Sequence, residues 1–167
     1  MVGSVLDVVG VGNAIVDVLA QAEDRLLIEH GLDKGTLTLI DAERAATLYR
    51  CMTSAIEVSG GSAANTLAGV ASFGGLGAYI GKVRDDQLGA VFSHDIRAAG
   101  VDYLSRPVRE GAPTARCLIF VTPDAQRTMQ TYLGISVQLG PDDIDPEAVG
   151  AAQITYLEGY LFDQEPA

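Results

Sequence analysis

The sequence predicts an α/β fold built in layers, with a small β-sheet that departs from the main core. Three observations predict it. Short apolar runs alternate with amphipathic helical stretches; some of those runs are continuous, as in strands covered on both faces; and a pair of β-rich segments late in the chain breaks the alternation. With 167 residues, 48% of them hydrophobic, the chain is long enough to bury one core.

The first apolar run, residues 6–11 around Asp7, is bounded by Gly12-Asn13 and reads as a central strand of a parallel sheet. Residues 15–20 then read as extended, residues 23–30 as a short helix closed by Gly31, and residues 36–40, where Thr and Leu alternate, as a strand with one wet face. Asp41 is placed to cap a helix whose Ala45, Leu48, Tyr49 and Met52 recur at helical spacing. A Gly-rich segment leads into a helix over residues 65–73 that stops at Gly74-Gly75. Residues 77–83 form a further strand, and Asp85-Asp86 open a helix with Leu88, Val91, Phe92 and Ile96 on one face and Gly100 at its end. Residues 116–121 and 127–133 flank a Pro123-Asp124 turn signal and should pair as an antiparallel hairpin. With the early extended pieces, this hairpin is expected to form a small sheet covering a site. Residues 142–152 follow as a helix, and residues 154–157 as a core strand that ends in Glu158-Gly159.

Composition excludes several functions. A net charge of -11, from 22 acidic against 11 basic side chains, repels a phosphate backbone, so no nucleic-acid partner is expected. No apolar run reaches the roughly 20 residues of a membrane span, and the N-terminus lacks the pattern of a secretion signal, which makes the cytoplasm the expected location and no membrane the expected partner. Cys51 and Cys117 are isolated, without a C-x-x-C pair or a His cluster, so neither a disulfide framework nor a metal site is expected.

Two segments carry polar groups suited to a ligand. Gly10-Val11-Gly12-Asn13 follows a strand but lacks the third glycine and the helix of a dinucleotide fingerprint. Strand-end loops of α/β sheets nonetheless hold ligands, which makes Asn13 and Asp17 candidates; the alternative is that they satisfy local turn backbone. Gly60-Gly61 lets backbone approach a ligand closely, and Asn65, where a helix is expected to begin, offers both a donor and an acceptor to hydroxyls. The alternative there is an ordinary Gly-rich helix start.

Taken in order, these residues resemble a family. The run Val58-Ser59-Gly60-Gly61-Ser62-Ala63-Ala64-Asn65-Thr66-Leu67-Ala68, continuing through Phe73-Gly74 to Ile80-Gly81-Lys82-Val83 with Asp85-Asp86 and Gly89, resembles the N-terminal signature of the ribokinase-like, PfkB-type carbohydrate kinases. Val9-Gly10-Val11-Gly12-Asn13 with Asp17 is similar to that family's opening strand and sugar-binding loop. Residues 114–136 are similar to its lid hairpin, and Tyr156-Leu157-Glu158-Gly159-Tyr160 to a strand ending at the site. The four-residue step from Asn13 to Asp17 is more like the adenosine kinase branch. The resemblance implies a ribokinase-like α/β/α core, here incomplete, with a β-sheet lid near residues 15–40 and 112–135. It implies ATP- and Mg²⁺-dependent phosphoryl transfer to a hydroxyl of a sugar or nucleoside, with Asn13, Asp17, Gly60, Gly61 and Asn65 binding the acceptor. Glu158 falls where some members contact substrate; it can equally cap a neighbouring helix. Lys82 and Arg84 can assist a phosphate or serve as solvated charge.

The family's Gly-Ala-Gly-Asp element, whose aspartate acts as the base, does not occur in this sequence, nor does a G-x-x-x-x-G-K-[ST] loop. Residues 1–167 are therefore expected to be the substrate-binding part of such a kinase, inactive alone and binding neither ATP nor Mg²⁺ without the nucleotide-binding part. A different class of function is open: a non-catalytic binding module that forms a homodimer through its β lid.

Overall fold

The computed structural model describes residues 6–163, which form nine β-strands and five α-helices. Strand β1 (Leu6–Val11) buries Val9 and Val11. After a turn at Gly12-Asn13, strand β2 (Ile15–Gln21) buries Val16, Val18 and Ala20 on one face and turns Ile15, Asp17 and Leu19 to the other, as the two-residue period of a strand requires. Helix α1 (Asp24–Glu29) ends before Gly31, which adopts a φ of 60°. Strand β3 (Leu37–Leu39) is shorter than predicted. Helix α2 (Ala42–Cys51) begins where predicted because the Asp41 carboxylate accepts the Arg44 N–H at 2.8 Å.

Strand β4 (Ile56–Gly60) was not predicted. Its alternation is brief and runs directly into Gly60-Gly61, which reads as loop. Helix α3 (Ser62–Ser72) starts three residues earlier than predicted, because Gly61, at a φ of 95°, turns the chain sharply enough for the helix to begin at once. Asn65 is thus not at the helix start; its N–H already bonds the Gly61 carbonyl at 3.0 Å. Strand β5 (Gly77–Ile80) leads to helix α4 (Gln87–Ala98), capped by Asp86, and α4 to strand β6 (Val101–Tyr103), a three-residue element that its length hid from pattern reading.

Strands β7 (Ala115–Val121) and β8 (Arg127–Tyr132) form the predicted antiparallel hairpin. Helix α5 (Pro146–Ala151) is shorter than predicted: Asp145 caps it and Pro146 takes its first position, where a missing N–H costs nothing, while Pro141–Asp143 make a separate tight turn. Strand β9 (Ala152–Leu157), expected in the core, lies at a sheet edge and leaves Ile154, Tyr156 and Leu157 exposed.

Two sheets result. One is wholly parallel in the order β6-β5-β1-β9; the other is mixed, in the order β3-β8-β7-β2-β4. The buried faces of β2 and β7 share one apolar cluster with α2, α3 and α4, including Val16, Leu48, Leu67, Tyr79, Phe92 and Phe120. A smaller cluster of Val9, Val11, Ala78, Ile80 and Leu139 covers the opposite face of the parallel sheet. No helix among the described residues is long and apolar enough to cross a membrane.

Candidate active site

The C-terminal ends of β1 and β9 meet the open face of the five-stranded sheet around a cavity of about 280 Å³. Strand ends of a parallel sheet gather ligand-binding loops, and the site begins there. Asn13, just past β1, is 3% exposed, lines the cavity, and carries a side-chain Oδ1 without a hydrogen-bond partner. Its backbone N–H donates to the Glu158 carboxylate. Glu158, just past β9, is 2% exposed; its other oxygen accepts the Ser62 hydroxyl at the start of α3. Glu158 therefore ties the β1–β2 turn to a helix N-terminus, where a negative charge is favourable, and it also lines the cavity.

Asp17 projects from the face of β2 that the core does not use. Its carboxyl is half-buried, and burial raises its pKa above the ordinary value. Gly60 does not line the cavity. It makes room for Asp17: a Cβ on Gly60 would fall 2.4 Å from the Asp17 carboxyl carbon. Gly61 lines the wall, and a Cβ there would stand 2.6 Å from the Asn13 carbonyl oxygen. Asn65 is exposed on the first turn of α3 and is not part of the wall. Lys82 is committed elsewhere, pairing with Asp143 at 2.8 Å.

Strand register supplies residues that the sequence did not single out. Leu39 of β3 stands opposite Thr131 of β8, Thr131 opposite Cys117 of β7, and Cys117 opposite Asp17 of β2. All four line the cavity, so its floor is one transverse row that grades from aliphatic through hydroxyl and thiol to carboxylate. The Thr131 hydroxyl donates to the Cys117 sulfur at 3.3 Å, and burial pushes the Cys117 thiol up to about 11, which keeps it a protonated, unreactive group. Ile15, Leu37, Leu133 and Tyr160 add apolar surface to the lining. The available signal was the alternation of β7 and β8, but which face meets Asp17 depends on pairing between residues a hundred positions apart.

A parallel sheet flanked by helices, with a second, mixed sheet across its carboxyl edge, is the architecture of the ribokinase-like fold. The sequence model of the pfkB family carbohydrate kinases matches residues 47–166, and the chain belongs to that family. Among solved structures, the adenosine kinase from Sinorhizobium meliloti superposes with a TM-score of 0.86 at 54% identity, covering 96% of this chain and 49% of that one. A probable sugar kinase from Rhizobium etli gives 0.86 at 53%, covering 95% and 48%. The probable fructokinase-3 of Arabidopsis thaliana is 29% identical over 113 residues, 66% of this chain and 33% of the relative. The chain thus spans between a third and a half of the length of these proteins.

Proposed function

We propose that the chain supplies the acceptor-binding part of an ATP-dependent kinase, and that its acceptor is a nucleoside. The polarity gradient of the cavity floor carries this reading. Four adjoining strands, spaced about 4.8 Å apart, stretch the row over about 14 Å. At one end the Asp17 carboxylate and the Asn13 amide oxygen accept hydrogen bonds from hydroxyls, which suits the diol of a ribose ring. At the other, Leu37 and Leu39 of β3 offer a wall against which a sugar hydroxylated on every side would leave polar groups unpaired, whereas a flat heterocyclic base would not. The likeness to the S. meliloti adenosine kinase supports the same choice.

In this reading the five-stranded sheet, with residues 15–40 and 112–135, is the lid, and the aspartate that receives the acceptor proton lies in sequence outside these 167 residues. ATP and Mg²⁺ belong to that other part. Among the described residues no trio of His, Cys, Asp and Glu side chains gathers to hold a cation. What this chain's own residues do is bind the acceptor and orient its hydroxyls, the share of phosphoryl transfer that rests on positioning.

Calorimetric titration with adenosine, ribose and fructose tests the proposal. Adenosine should bind most tightly, and Asp17→Ala should weaken it by roughly 10- to 100-fold, the worth of a charged hydrogen bond. Preference for fructose would overturn the nucleoside assignment. Binding of none of the three would overturn the acceptor-site reading itself.

A further inference from the structure

We propose that Tyr79 is a positioning residue of this site: its hydroxyl and the Glu158 carboxylate together fix the plane of the Gly12–Asn13 peptide, and so aim Asn13 at the ligand. The inference rests on the acceptor-site reading for its ligand, but its geometry lies behind the cavity wall.

The N–H of that peptide belongs to Asn13 and donates to Glu158. The carbonyl of the same peptide belongs to Gly12, is buried, and accepts no backbone hydrogen bond. Tyr79, on β5, is fully buried, and its hydroxyl has no partner. These two unpaired groups converge on the bare Cα of Gly81, where a Cβ would stand 2.8 Å from the Gly12 oxygen and 2.8 Å from the Tyr79 hydroxyl. A buried donor and a buried acceptor left unpaired beside the same glycine are costly, and the proposed pairing forms when the Gly12–Asn13 peptide tilts toward the hydroxyl.

Little else there can move. The Tyr79 ring packs against Phe92, with centroids 5.7 Å apart, and against Tyr103 at 6.1 Å. Gly81 is pinned on both sides: its carbonyl accepts the Tyr103 hydroxyl at 2.7 Å and its N–H donates to the Ser105 hydroxyl at 3.1 Å. Burial holds the Tyr79 hydroxyl protonated, so it is a donor at any working pH. The peptide is the compliant part, and the Asn13 side chain departs from it. Its Oδ1, also buried and unpaired, points where the peptide plane sends it. A ligand hydroxyl that engages Oδ1 is therefore linked to the pairing of Tyr79 with Gly12.

The test uses the 167-residue chain and two readouts, amide hydrogen exchange at Asn13 by NMR and calorimetric affinity for adenosine. Tyr79→Phe removes one oxygen and keeps the ring. It should speed Asn13 exchange about tenfold and weaken adenosine about tenfold, one neutral hydrogen bond's worth. Its effect on affinity should vanish in an Asn13→Ala background and persist in an Asp17→Ala background. Gly81→Ala, which wedges a methyl between the two groups, should reproduce both changes. Unchanged exchange at Asn13, or affinity losses that simply add with Asn13→Ala, would overturn the proposal. If the unsubstituted chain binds no adenosine, the nucleoside reading falls instead, and Asn13 exchange alone decides the role of Tyr79.

Discussion

Asp17 sits among Cys117, Gly60 and the cavity, and burial raises its carboxyl pKa above the usual 3.8. The folded chain therefore holds that proton more tightly than the unfolded chain, and its stability falls as pH rises through the interval above 3.8. Ligand binding runs the other way, since hydroxyls donate to the ionised form. Affinity for adenosine should weaken as pH drops toward that interval, and Asp17→Asn should flatten the profile, as titrations at several pH values would reveal. Gly60→Ala should displace the same carboxylate, because its Cβ would lie 2.4 Å from the carboxyl carbon, and should cost affinity more than Tm. The sequence made Asp17 legible through the loop that precedes it. It could not show Gly60 as the space-maker for Asp17, nor Asn65 as an exposed residue of the first turn of α3, because both depend on where α3 begins.

At the scale of elements, the start of α4 joins both sheets. Asp86 accepts the Gly89 N–H at 2.9 Å as the helix cap, and also the N–H and hydroxyl of Thr114, at 3.0 and 2.7 Å, just before β7. Asp86→Ala should lower stability by about 2 kcal/mol, combining a lost cap with a Thr114 N–H left without its acceptor, as urea unfolding would measure. Gly61→Ala forces a non-glycine residue into a φ of 95° and should cost about 1–3 kcal/mol in the same assay. Such local devices were readable beforehand: Asp41, Asp86, Gly31 and Gly100 mark helix ends by their own chemistry. The strands β4 and β6 were not, for they are short and owe their existence to partners. β4 pairs with β2 residues about forty positions earlier, and β6 completes the parallel sheet only beside β5.

For the whole molecule, the exposed apolar residues of β9, with Tyr160 and Phe162 close after, set an expectation about association. An uncovered edge strand of this kind invites pairing, so sedimentation velocity should find concentration-dependent oligomers that Ile154→Lys disperses. If substitutions in β3 dispersed them and adenosine binding survived Asp17→Ala, the dimerising-module reading would stand in place of the kinase. The floor of the cavity has a further consequence, for folding. Leu39, Thr131, Cys117 and Asp17 come from four strands, and they share a face only in one alignment. A slip of one residue in β7 would present Arg116 or Leu118 in place of Cys117 and turn the gradient inside out. A molecule that recognises the whole row thus discriminates between alignments, and by mass action it drains misaligned chains toward the productive one. The acceptor would then act as a proofreader of its own binding protein, raising the yield of correctly paired sheet during refolding.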